Sequence, residues 1–187
     1  MSSSSPTGYD STFHTVTSKP ETIGKYEILE EVGKGSMGTV YSAHDPFADR
    51  TVALKVAHPH FTSEDTEGAR FRKLFFNEAH AAGVLDHPSI LSLYDADVDE
   101  DLCFLVMEFI PGGKTLNAFC QPDTLLSLRE AIGIIFKCAK ALDYAHRQGI
   151  IHRDIKPNNI LFTEDRDIRL SDFSIARINR GDLTSTQ

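Results

Sequence analysis

The stretch Ile151–Phe162 reads IHRDIKPNNILF, and more of the fold and chemistry can be read from it than from any other segment. Asp154, Lys156 and Asn159 fall within six residues. They supply a carboxylate able to accept a proton, an ammonium able to neutralise a phosphate, and an amide able to ligate a hard cation. Pro157 argues against helix here, because it lacks an amide donor and restricts the residue before it. The apolar flanks predict that both ends of the segment are tied into a core. Six fixed residue types at about 5% usage each recur by chance in roughly one window in 10⁷ to 10⁸, so a charged surface loop explains the stretch poorly.

Downstream, one short predicted hairpin leads to Asp172, whose neighbours Leu170 and Phe173 would anchor it. Magnesium takes oxygen ligands, usually one or two carboxylates with the substrate's phosphates, and Asp172 with Asn159 meets that need. Upstream, Lys55 stands in the apolar strand pattern VALKVA (Val52–Ala57). A lysine there either emerges at the surface or finds a partner, since burial without one is costly. Glu78, on the next predicted helix, is the preferred counter-ion, and Glu67 lies further from that helix's core face. GKGSMGTV (Gly33–Val40) places glycines between two predicted strands, where backbone amides can face phosphate oxygens. Alone, a glycine-rich hairpin turn explains it equally well. It opens no helix and lacks a lysine-hydroxyl end, so neither the dinucleotide fingerprint nor a Walker loop applies.

Alternating polarity predicts strands at Tyr26–Val32, at TVYSAH (Thr39–His44), at Arg50–Ala57, within HPSILSLYDADV, and at DLCFLVMEF, the last nearly all apolar and so central and covered. Helical spacing of Phe71, Leu74, Phe75, Ala79 and Ala82 predicts a helix from Ser63, a possible cap, to about Leu85. Ile132, Ile135, Phe136, Ala139, Leu142 and Ala145 predict a second over Leu128–Gln148, with Gly149 as its C-cap. Strands first and helices second make the fold class α+β, in two lobes.

The chain has 187 residues, 41% apolar, enough to bury a sizeable core. Its net charge of −8 argues against nucleic acid as a partner. Cys103, Cys120 and Cys138 are odd in number and widely spaced, which suggests neither a disulfide framework nor a zinc site and fits a reducing, cytoplasmic setting. MSSSSPTGYDSTFHTVTSKPET opens the chain without a basic start or an apolar block, so it reads as a flexible arm and not a secretory signal. No apolar run approaches the ~20 residues of a membrane span.

Taken in order, GKGSMGTV, VALK, a helix glutamate, HRDIKPNN and DFS resemble the ATP-side motifs of eukaryotic-type (Hanks-type) serine/threonine protein kinases, with wording most similar to bacterial members. The resemblance implies an arm over 1–24, an ATP-binding lobe of antiparallel sheet and one main helix over 25–108, and a partial, mostly helical lobe over 109–187. It implies ATP and Mg²⁺ as cofactors and a protein Ser/Thr hydroxyl as acceptor. Asp154 and Lys156 would be catalytic. Val32, Gly33, Lys34, Gly35, Ser36, Met37, Gly38, Thr39 and Val40 would form the nucleotide loop, its glycines over the phosphates. Lys55 paired with Glu78 would hold the α- and β-phosphates; Val40, Ala53 and Leu161 would sandwich the adenine, with Met107 behind and the backbone of Glu108 and Ile110 beside it. Asn159 and Asp172 would bind the metal, and His152 and Phe173 would pack behind them.

Two departures stand out. Ser174 occupies the place of a glycine whose freedom at positive φ helps the family's segment switch states, which opens an alternative reading as a non-catalytic nucleotide-binding pseudokinase or interaction module. A small-molecule kinase of related fold is a third, against which Lys156 argues. The chain also stops inside what resembles the activation segment, with Thr184, Ser185 and Thr186 either modification sites or a polar tail. The missing helices would leave the face of the second helix exposed, inviting a partner to cover it.

Overall fold

The computed structural model describes residues 20–35, 38–58 and 66–173, apart from the side chains of 67, 74, 77, 78 and 81. Six strands form one antiparallel sheet: β1 (Thr22–Ile23), β2 (Tyr26–Lys34), β3 (Gly38–Asp45), β4 (Arg50–Ala57), β5 (Leu93–Asp99) and β6 (Leu102–Glu108), in the order β1-β2-β3-β4-β6-β5. Register shifts between Ile28 and Glu30 and between Glu31 and Gly33 bend β2 and increase its twist.

Period-two alternation decides what each face of the sheet does. Val52, Leu54 and Val56 of β4 join Phe104 and Val106 of β6, with Tyr26, Ile28 and Ala43, in one core. The intervening residues Ala57, Cys103 and Leu105 point the other way, onto Phe71, Phe75 and Ala79 of helix α1 (Thr66–Gly83). β6 is therefore covered on both faces, as its apolar run implies. Helix α1 ends at Gly83, short of the expected Leu85, and the proposed cap Ser63 lies outside the described residues.

The segment 87–92, expected to open a strand, is a turn and loop that instead stitches the sheet to the distant strand ending at Leu170. Ser89 O accepts from the amide of Leu170 at 2.8 Å, and the amide of Leu91 donates to Leu170 O at 3.0 Å. Backbone groups committed to that strand cannot also extend β5.

Helix α2 (Leu128–Arg147) starts where expected, and for a reason the apolar spacing did not contain. Ser127 and Glu130 form a reciprocal capping box, the Ser127 hydroxyl accepting from the Glu130 amide at 3.3 Å and the Glu130 carboxylate from the Ser127 amide at 3.0 Å. At the other end Gly149 adopts φ +77°, the left-handed conformation of a helix stop.

The apolar residues of α2 divide between two rows. The helix buries Ile134, Cys138, Ala141 and Ala145 against the hairpin of β7 (Ile160–Phe162) and β8 (Ile168–Leu170). Ile132, Ile135, Phe136 and Ala139 are exposed, as expected for the face that further helices would cover, whereas Leu142 and Ala145 of the same apolar set turn toward the hairpin. Both rows satisfy a 3.6-residue period, so periodicity could not choose between them. Among the described residues no helix is long and apolar enough to cross a membrane, and all three cysteines are free.

Candidate active site

Lys55 sits on the face of β4 that α1 covers, directly opposite Leu105 of β6. Its side chain is only 20% exposed, which rules out the surface-lysine reading. The ammonium lies 2.5 Å from Oδ1 of Asp172, 117 residues away. The partner the structure gives it is thus the acid expected to bind metal. The side chain of Glu78, the expected counter-ion, lies outside the described residues. Asp172 reaches Lys55 from a left-handed backbone, φ +60°, a conformation aspartate tolerates better than most residues.

Asp154 is built by its neighbours. Its carboxylate oxygen Oδ2 accepts from Lys156 Nζ at 2.7 Å and from Asn159 Nδ2 at 3.1 Å, while its carbonyl accepts a second bond from Nδ2 at 2.8 Å. The Lys156 hydrogen bond, supported by that of Asn159, holds Asp154 below the usual carboxylate range; the same contact raises Lys156. Pro157 starts a single 3₁₀ turn, Pro157–Asn159, in which the Asn159 amide donates to Lys156 O at 3.0 Å. Helix is therefore limited to one turn with proline at its first position, where a missing donor costs nothing. Of the expected apolar anchors, Ile160 is buried, but Ile151 and Ile155 are exposed. The upstream anchor is His152, 1% exposed, whose ring packs on Phe173 with centroids 4.5 Å apart.

His152 joins the two halves of the site. Its Nε2 pairs with Ser171 O at 2.8 Å, and its Nδ1 accepts the amide of Asp154 at 3.3 Å. Donating through one nitrogen while accepting through the other requires the neutral ring. Burial, the main influence on this group, pushes its pKa down and favours that form. One imidazole thus fixes Asp154 relative to the strand end that leads to Asp172.

Over these groups lies the glycine turn, with the Gly35 amide donating to Gly38 O at 2.9 Å. A Cβ on Gly38 would stand 2.0 Å from the carbonyl oxygen of Val56, so glycine there lets β3 lie flush on β4. At Gly33 a Cβ would meet nothing within 4 Å, leaving that backbone open to the cleft.

The cleft between sheet and hairpin has a volume of about 910 Å³. It is lined by Val32, Gly33, Lys34, Gly35, Gly38, Val40, Ala53, Lys55, Met107, Glu108, Ile110, Asp154, Lys156, Asn159, Leu161 and Asp172, all expected from the sequence. Thr39 is buried and does not line it, because on a strand it faces away from Gly38 and Val40. Ser36 and Met37 lie outside the described residues. Leu91, Thr115, Asn158 and Ser171 also line the cleft and were not foreseen. Thr115 arrives through an isolated bridge to Leu161, a contact with no local signature.

The donor set suits a hard cation that brings its own ligands. Among the described residues no three His, Cys, Asp or Glu side chains gather as a metal-holding group. Asp172 and Asn159 offer a carboxylate and an amide oxygen, and the N–H groups of Asn159 are already spent on Asp154. Magnesium accepts so sparse a protein shell when phosphate oxygens complete it.

Comparison with known proteins agrees with this geometry. A family model described as the protein kinase domain matches residues 26–186. The probable serine/threonine-protein kinase PknB of Lactococcus lactis is 39% identical over 164 residues, covering 87% of this chain and 25% of that protein. PknJ of Mycobacterium tuberculosis is 42% identical over 166 residues, covering 86% and 27%. The crystal structure of the Mycobacterium tuberculosis PknI kinase domain superposes with a TM-score of 0.71 at 32% identity, covering 83% of this chain and 62% of that one. The chain thus spans about a quarter of these curated relatives' length. With that match over most of its length, the chain belongs to the protein kinase domain family.

Proposed function

We propose that this chain carries the ATP-binding and phosphoryl-transfer apparatus of a serine/threonine protein kinase, acting on a protein hydroxyl. One observation carries the reading: Lys55, Asp154, Lys156, Asn159 and Asp172, drawn from three separate segments, line a single cleft beneath a glycine turn. Phosphoryl transfer has a loose transition state with charge on the equatorial oxygens, so the protein contributes alignment and placed charge.

In this reading Lys55 engages the α- and β-phosphates, exchanging its contact with Asp172 for them. Val40, Ala53 and Leu161 hold the adenine between sheet and hairpin, and the backbone of Glu108 and Ile110 meets its edge. Asp154 orients the acceptor hydroxyl and takes its proton; the lowered pKa keeps it ionised at neutral pH. Lys156 stands beside it to neutralise charge on the transferred group. Asn159 and Asp172 would hold Mg²⁺, which would supply electrostatic stabilisation of the phosphate oxygens when bound.

We assign the lobes to 25–108 and 109–187, with 1–24 as an arm whose Thr22 and Ile23 join the edge of the sheet as β1, Ile23 entering its core, and place the protein in the cytoplasm. The three free cysteines support a reducing compartment. The non-catalytic alternative is not favoured, because the proton acceptor, the amine and both metal ligands are all present. Ser174, on which that alternative leaned, lies outside the described residues, as do Thr184, Ser185 and Thr186. Leu128, Ile132, Ile135 and Phe136 of α2 form the face for which a covering partner is proposed.

The test is Asp154→Ala in the full chain, measuring transfer of labelled phosphate from Mg·ATP to a basic acceptor protein, with nucleotide affinity in parallel. Transfer should fall by about 10²- to 10⁴-fold with affinity nearly unchanged. Equal transfer by variant and parent overturns the reading.

A further inference from the structure

Beside the cleft lies a further ionic contact that the phosphoryl-transfer roles do not use. Arg169 Nε donates to both carboxylate oxygens of Glu108, at 3.1 and 3.2 Å, although 61 residues separate the two. Arg169 Nη1 donates to the carbonyl of Ile168 at 3.2 Å, which fixes the guanidinium from its other side. Both side chains are about four-fifths buried, at 23% and 21% exposure. There the attraction is stronger than between exposed charges.

The positions of the two residues give the contact its meaning. Glu108 ends β6; its amide donates to Ser92 O at 2.9 Å, and its Oε2 accepts from the Ser92 amide at 3.4 Å. Arg169 lies on β8 directly opposite Leu161 on β7, so both side chains leave the same face of the hairpin. Leu161 lines the floor of the cleft, and Glu108 with Ile110 lines its wall. Just beyond Glu108 the connection between the two halves runs through Gly112 and Gly113, both at positive φ, a backbone suited to hinge motion.

We infer that Arg169 is a positioning residue for the nucleotide slot. Its guanidinium, held on Glu108, ties the floor hairpin to the end of β6 and so sets the width of the slot at the adenine end. This rests on the nucleotide-binding reading above, since Arg169 itself touches neither phosphate nor metal ligand. Arginine suits the task because one planar group meets the carboxylate and the Ile168 carbonyl together; a lysine ammonium is a point charge without that fixed fork.

The experiment compares the full chain with Arg169→Met and Arg169→Lys. It measures affinity for a fluorescent ATP analogue with Mg²⁺ and amide hydrogen exchange without nucleotide. Arg169→Met should weaken affinity about fivefold, at the low end of couplings between sites. It should also speed exchange at Ser92 and Glu108 by roughly tenfold while leaving α2 unchanged, and Arg169→Lys should recover part of both. Unchanged affinity in Arg169→Met overturns the positioning role, as does faster exchange spread through α2 and the whole sheet. If Arg169→Met does not fold, Glu108→Gln removes the charge while keeping the side chain's shape, and it must show the same local exchange for the inference to stand. A parent chain that binds no nucleotide defeats the kinase reading itself, an outcome distinct from a parent that binds and an Arg169→Met that binds equally.

Discussion

The sheet and helix α2 dispose of their apolar residues in opposite ways. In the sheet, alternate residues of β4 and β6 feed two separate cores, one on each face, and Val52, Leu54, Cys103 and Leu105 are fully buried. In α2 one row, Ile134, Cys138, Ala141 and Ala145, is buried, while Leu128, Ile132, Ile135 and Phe136 stand exposed among the described residues. The central strands β4 and β6 therefore satisfy their apolar pattern on both faces, and α2 does so on one row only. An amphipathic pattern states that some face will be covered, not which face or by what.

That contrast is open to measurement. Leu54→Ala removes a side chain with no exposure from the middle of the sheet. It should cost about 2–5 kcal/mol, read as a drop in the urea midpoint with the slope unchanged. A loss under about 1 kcal/mol would mean that the sheet's core is less complete than its geometry.

A middle-sized effect comes from the junction between the regions. His152 must be neutral to accept from Asp154 and donate to Ser171 together, and burial lowers its pKa from 6.5. The unfolded chain then binds the proton first as pH falls, so the contribution is fully present above pH about 6.5 and is lost as pH falls through the folded-state pKa. Urea midpoints should decline below that pH, and His152→Gln should flatten the decline. Equal pH slopes in parent and variant would remove His152 as the cause.

Phe136→Ser on the exposed row should change least. Phenylalanine and serine have similar helix propensity, and the site is 60% exposed, so stability should stay within about 0.5 kcal/mol. Light scattering should show less self-association, because an apolar patch has been interrupted. A loss comparable to that of Leu54→Ala would show that this face is packed after all, and the contrast would fail.

The chemistry was legible because its parts are local. Asp154, Lys156 and Asn159 lie close together in the chain and end up bonded to one another. The strands were legible because alternation needs only neighbouring residues, and Lys55 stood out as a charge in an apolar run. His152 and Phe173 were expected behind the site, and their packed rings agree. The unforeseen capping box at Ser127–Glu130 was readable in principle, since its four-residue spacing is a sequence signature.

Other features had no local trace. Asp172 as the partner of Lys55, Arg169 on Glu108, and Thr115 beside Leu161 are contacts between segments 46 to 117 residues apart. Which row of α2 meets the hairpin belongs to the same class. Amino-acid order alone settled most element types and the reactive groups, because dihedral preference, apolar period and side-chain chemistry act over a few residues. The segment 87–92 escaped it because its backbone pairs with the distant Leu170, and β1 because two residues show no period. Charge pairing and buried faces were left to the packing of sheet against hairpin, because a salt bridge or a core contact exists only where that packing brings two distant surfaces within a few ångströms.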